Sequence, residues 1–157
     1  MQREITGFRR DELGDWVAEL HCHHRQHVRH RPPFVQRAWV ETAQGRNEHV
    51  GTELDCPLCD RAELPAGLVV ARTAGPYDES TLPAGLRRNH RVADGVWGLL
   101  RVLAGTAHFT MQSFPVMSLD LCSGDNQPIP PGVLHAVALT SGVVEVDFLV
   151  PARSAFT

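Results

Sequence analysis

Ten consecutive residues, His21 to His30, read HCHHRQHVRH and hold one cysteine among five histidines, and a CPLC pair, Cys56 and Cys59, follows downstream. A tetrahedral zinc ion takes about four deprotonated nitrogen or sulfur donors, and two short ligand pairs brought together by hairpins supply them with little strain. Cys56 and Cys59 have the spacing of a knuckle, Cys22 is the natural third donor, and the fourth falls among His23, His24 and His27. His24 is favoured, because Cys22 and His24 point to the same side of an extended or turn segment; His27 is the alternative. His27 and His30 are spaced as neighbours on a helical turn and would form a second, weaker site. The surplus histidines, His21 and His23 among them, are read as hydrogen-bonding around the ligands.

The ligand-rich part is compositionally distinct. Six of the nine histidines, three of the four cysteines and two of the three tryptophans precede Leu64, and the remainder is rich in Val, Leu, Ala, Gly and Pro. This divides the chain into residues 1–64 and residues 65–157. A module of some sixty residues buries only about 60% of its unfolded surface, so a structural metal contributes most in the first part.

The net charge is -3, lysine is absent, and both parts are mildly acidic. That balance lacks the basic excess a nucleic-acid binder needs. No apolar run reaches the length of a signal peptide core or of a membrane span of about 20 residues, which points to a cytoplasmic protein without a membrane partner. Cysteines in a reducing compartment favour metal ligation over disulfides.

The pattern predicts a mainly β chain. Ile5–Arg10 and Trp16–Leu20, separated by DELGD, read as a hairpin that delivers Cys22. Alternation at Ala38, Val40 and Thr42, a Gln-Gly-Arg-Asn turn and a return towards CPLC predict a second hairpin, giving a zinc-ribbon-like module. Residues 64–83 read as a linker entering a lead-in strand. Beyond them, β-branched and alternating runs punctuated by Gly, Pro, Asn and Asp predict a sandwich or barrel.

The residues Gly14, Asp15, Trp16, Val17, Ala18, Leu20, Cys22, His24, Gln26–His30, Pro32 and Pro33, then Gly45, Arg46, Gly51, Cys56 and Cys59, resemble the pattern of a small bacterial family of Cys/His proteins. His23 stands where that pattern has Gly, which makes it the least fitting ligand. The resemblance brings no activity with it. In the second part, Pro130–His135 has the form P-x-G-x-x-H, which resembles the second motif of the cupin barrel, where the Gly turns the chain and the His opens a strand facing inwards. Leu82, Pro83, Gly85, Leu86, His90, Gly95, Trp97, Gly98, Val102, Leu103 and Gly105, continued by Pro131, Gly132, His135, Val137, Val146 and Phe148, resemble the cupin-like domain of YeaR proteins and of the N-terminal part of TehB-type tellurite-resistance proteins.

That resemblance implies a double-stranded β-helix barrel, a nitrosative or tellurite-type stress setting, and a small-molecule or anionic ligand. Val92 and Ala93 stand where the family carries Thr-Lys, so a lysine contact to an anion is lost here. His90 and His135 are the candidate barrel ligands, and Glu145 or Asp147 could complete a facial triad for iron. With Thr140–Gly142 as a three-residue loop, His135 lies opposite Asp147; with Ser141 and Gly142 alone turning, it lies opposite Phe148. His108 reads as a polar strand residue and Cys122 as a small buried hydrophobe. Three functions follow: a metal-binding protein with a structural zinc module and a ligand-binding barrel, an iron-dependent cupin enzyme of oxygenase type, or a metal or nitric-oxide sensor, with pairing of two copies through the barrel.

Overall fold

The structure, a computed structural model, describes residues 1–153, and two compact units divide the chain, Met1–Pro57 and Leu58–Thr157. Strands dominate both.

In the first unit β1 (Gln2–Arg10), β2 (Trp16–Leu20), β3 (Arg25–His27) and β4 (Glu53–Asp55) form an antiparallel sheet in the order β3-β2-β1-β4. The β1–β2 turn is organised by Asp11, whose Oδ1 accepts the backbone N–H groups of Leu13 and Asp15, both at 2.9 Å. An aspartate that closes its own turn in this way supplies the hairpin signal of DELGD. Ile5, Val17, Ala18, Leu20, Val28 and Val40 form the apolar core.

The expected second hairpin is absent. A 3-10 turn at Ala38–Glu41 and helix α1 (Ala43–His49) occupy that segment. Thr42, read as the last residue of a strand, is the helix N-cap, and its Oγ1 accepts the Gly45 N–H at 3.0 Å. One cap fixes the direction of the chain where three alternating residues did not. Tertiary contacts then hold the helix. His49 stacks on Trp39 with centroids 3.8 Å apart, and the Arg46 guanidinium lies 3.6 Å from the centroid of the Trp16 ring.

The second unit contains helix α2 (Pro57–Asp60, its first residue in the preceding unit) and seven strands, β5 (Leu68–Tyr77), β6 (Trp97–Ala104), β7 (Thr106–Met111), β8 (Met117–Cys122), β9 (Asn126–Ile129), β10 (His135–Leu139) and β11 (Val143–Pro151). They form two antiparallel sheets, β5-β11-β6-β9 and β10-β7-β8, the β-sandwich expected of a cupin-type barrel. Trp97, Leu100, Phe109, Met111, Ile129, Val137 and Val144 are fully buried within it. Much of the stretch read as a linker is β5, a ten-residue strand. Gly105 makes the β6–β7 turn with φ +65°, and a Cβ there would overlap the Ser141 carbonyl oxygen, so no other residue fits. Cys122, expected inside, is exposed at the end of β8. Among the described residues no helix is long and apolar enough to cross a membrane.

Candidate functional site

Three local structures gather the cysteine and histidine donors. Cys22 and His24 sit in the tight β2–β3 turn, where the Leu20 carbonyl accepts the His23 N–H at 2.8 Å and the His24 carbonyl accepts the Leu20 N–H at 3.0 Å. His23 occupies the centre of the turn with φ +69°, a conformation that favours glycine. The family pattern has Gly at this position, and the backbone supplies the reason. Cys56 leaves β4 held by its own N–H on the Met1 carbonyl at 2.8 Å, and Cys59 follows within α2.

Cys22, His24, Cys56 and Cys59 are all buried, and their ligand atoms lie within 4.8 Å of one another. A tetrahedral ion with bonds of about 2.3 Å to sulfur and about 2.0 Å to nitrogen sets S···S edges near ~3.8 Å and S···N edges near ~3.5 Å. Here Cys22 Sγ and Cys56 Sγ are 4.0 Å apart, and His24 Nδ1 stands 3.5 Å from the first and 3.4 Å from the second. The sulfurs are too far apart for a disulfide, which requires about 2.05 Å. The donor set therefore fits one tetrahedral cation. Burial disfavours charge on His24, but hydrogen bonds to Cys22 and Cys56 and the negative charge of both thiolates outweigh it and raise the imidazole to about 9. A pocket that pulls a proton onto a buried imidazole is electrostatically suited to a divalent cation.

The other histidines of the cluster stand elsewhere. His27, the alternative fourth ligand, is exposed at the end of β3, where its Nε2 meets Asp11 Oδ2 at 2.7 Å. That bond lowers the Asp11 carboxyl below its ordinary value. Two strand residues, Arg25 and Gln26, separate His27 from His24 and carry it out of reach of the thiols. His30, proposed for a second site, accepts the Arg37 N–H on Nδ1 at 3.0 Å and braces the loop between them. The second acidic grouping is Asp11, Asp15 and His27, without His30, and its Asp15 is ion-paired to Arg29 at 2.7 Å.

In the sandwich, His135 opens β10 after the Pro131-Gly132 turn and is buried. His90 joins it through reciprocal backbone hydrogen bonds, and the rings meet with His90 Nδ1 3.3 Å from His135 Nε2. His135 Nδ1 lies 3.0 Å from the Val133 carbonyl, so it carries the proton and donates, leaving Nε2 to accept from His90. Burial, with the neighbouring charge of His90, pushes His135 below the ordinary histidine value despite the Val133 bond.

Asp147 does not join them. Both hairpin registers assumed that β10 pairs with β11, but β10 pairs with β7 while β11 lies between β5 and β6 in the other sheet. Val146 and Phe148 line the pocket beside the histidines, so alternation turns Asp147 to the opposite face. There it accepts from Thr73 Oγ1 at 2.6 Å and Arg101 Nε at 2.8 Å, and Arg101 also binds Glu145. Thr73 lies on β5, within the stretch that reads as a linker entering a lead-in strand; the apolar, β-branched run Leu68-Val69-Val70 is the sequence signal for that strand. Among the described residues, no third His, Cys, Asp or Glu closes around His90 and His135. Two imidazoles alone do not make a cupin metal site. Instead they form the polar side of a pocket of about 220 Å³ whose other walls include Ala74, Leu86, Val92, Val146 and Phe148.

The fold and clusters define a class: a mainly β protein in which a Cys/His module that gathers four metal-type donors precedes a two-sheet β-sandwich. Comparison places each part. Residues 6–63 match the family described as "Protein of unknown function (DUF3565)", and residues 72–148 match the TehB-like domain. Among solved structures the chain is similar to a protein from E. coli strain K12, with a TM-score of 0.51 and 19% identity over 58% of this chain and 98% of that one. It is also similar to TehB from Haemophilus influenzae, with a TM-score of 0.47 and 22% identity over 55% of this chain, and it spans 32% of that protein's length. An RmlC-like cupin from Shewanella frigidimarina gives a TM-score of 0.33 and 24% identity over 45% of this chain and 60% of that one. No curated protein matches.

Proposed function

We propose that this is a metal-binding, stress-associated protein in which a structural zinc ion, held by Cys22, His24, Cys56 and Cys59, stabilises residues 1–64, while the sandwich of residues 65–157 binds a small molecule. The observation that carries the reading is the approach of four buried donor atoms to within 4.8 Å of one another. Three thiolates with one imidazole select a borderline-soft ion, and zinc adds tetrahedral preference without redox chemistry. A cytoplasmic setting keeps such thiols reduced and available as ligands. The nitrosative or tellurite-type setting enters through the TehB-like resemblance of the second part alone.

The experiment is elemental analysis of the purified full-length protein. One zinc per chain, lost on Cys22→Ser or Cys59→Ser and retained on His27→Ala and His30→Ala, is the expected result. Zinc absent from the unsubstituted protein would remove the basis of the proposal. The iron-enzyme alternative lacks support in the side chains: Asp147 is committed to Thr73 and Arg101, and among the described residues no other carboxylate replaces it beside His90 and His135.

A further inference from the structure

The ligand of the sandwich is open at the level of chemistry, and the charges around the pocket narrow it. The 220 Å³ pocket shares His90, Val92 and Phe148 with a second recess of about 390 Å³. Ala71, Val96 and Val150 make much of the remaining wall of that recess, and its only formal charges are Arg72 and Arg91. Neither cavity has an acidic residue in its lining. In a chain of net charge -3, two arginines in a lining that has no acidic residue mark a place where an anion is favoured over a cation.

Both guanidiniums are positioned and keep capacity to spare. Arg72 lies with its guanidinium carbon 4.3 Å from the centroid of the Phe148 ring, and Arg91 places one N–H on the Gly132 carbonyl at 3.3 Å. Neither is ion-paired among the described residues, and an arginine has five N–H donors in a fork that matches a carboxylate. Apolar walls, by contrast, have nothing to offer a polar body. An apolar cavity of about 150 Å³ accommodates a benzene ring, so the inner pocket holds a ring with a short alkyl branch.

From these facts we infer that the two recesses form one site for a small apolar carboxylate, its hydrocarbon body against Val92, Val146 and Phe148 and its anionic group towards Arg72 and Arg91. His90, hydrogen-bonded to His135 and common to both recesses, fixes the wall where they meet. This inference rests on the proposed ligand-binding role of the sandwich and specifies the ligand.

The test titrates isotope-labelled full-length protein with para-isopropylbenzoate, the neutral para-isopropylbenzyl alcohol and the cationic para-isopropylbenzylamine, following amide NMR shifts. The benzoate is expected to bind tightest and to shift Ala74, His90, Val92 and Phe148. Arg72→Gln or Arg91→Gln should weaken the benzoate by about two- to fivefold and leave the alcohol unchanged, as for one rim charge contact. Ala74→Phe, which fills the inner pocket, should abolish binding of both. Equal binding of alcohol and benzoate at these residues, or indifference to both arginine variants, would sink the carboxylate assignment and leave a neutral-ligand pocket standing. Failure of all three compounds to shift the pocket residues would overturn the assignment and the ligand-binding role together.

Discussion

Replacing Cys56 by serine removes one of the four donors that the β2–β3 turn, the end of β4 and helix α2 bring together, and its cost follows from how little else holds the first unit. Apart from the cysteines, its fully buried apolar side chains are Ile5, Val17, Ala18, Leu20, Val28 and Val40. Six mostly small apolar side chains are a thin core for a module of this size, and a thin core is where a structural metal contributes most. A structural zinc contributes an apparent ~10–16 kcal/mol in small modules. Losing one thiolate forfeits enough of that to destabilise the unit by at least ~3–5 kcal/mol and to unfold most molecules at 25 °C. The assay is native-state amide exchange on full-length Cys56→Ser. Protection should collapse across β1 to β4 and persist in β5 to β11. Equal loss in both sets of strands would refute the boundary near Leu64, and retained protection in β1 to β4 would refute a structural metal. Cys122→Ser, which touches an exposed cysteine outside the cluster, is the control and should change neither.

A Cβ on Gly45 would overlap the Trp39 carbonyl oxygen, so Gly45→Ala must displace α1 from the 3-10 turn; a loss of about 2 kcal/mol or more in urea unfolding is expected, and a neutral result would contradict the packing of the helix. Arg101→Ala leaves the buried Asp147 carboxylate with Thr73 alone and should lower the thermal melt of the second unit; an unchanged melt would show that the ion pair contributes nothing to stability. Asp147→Asn should alter that stability without altering metal content; loss of a bound metal would restore Asp147 as a ligand. Hydrogen bonds from Ser80 and Thr81 hold the Asp78 carboxyl down at about 2, against an ordinary 3.8. Its folded value is the lower one, so its contribution is complete above pH ~4 and disappears as the pH falls through ~2. Acid unfolding curves of the unsubstituted protein and Asp78→Ala should converge over that interval, and a constant offset would show that the turn owes nothing to ionised Asp78.

Features that depend on residue type and short spacing could be read from the chain before any fold was known. Cys22, His24, Cys56 and Cys59 were legible because few residues offer sulfur or imidazole donors and because i,i+2 and i,i+3 spacings hold their geometry in a turn and a knuckle. The β1–β2 hairpin, the Gly105 turn and the opening of β10 at His135 were legible for the same reason: a turn of a few residues is governed by its own backbone. What required the tertiary structure was everything decided by partners distant in the chain. Ala38–His49 has enough alternation for a strand, and the Thr42 cap with the stacking of Trp39 on His49 and of Trp16 on Arg46 makes it helical instead. Asp147 was placed by strand order rather than by loop length, since β11 enters the sheet opposite the one containing β10 and presents its carboxylate to Thr73 and Arg101. Local patterns fix which groups a segment can offer, but the face on which a strand offers them depends on the neighbours it pairs with, and pairing is settled only when the whole sheet forms.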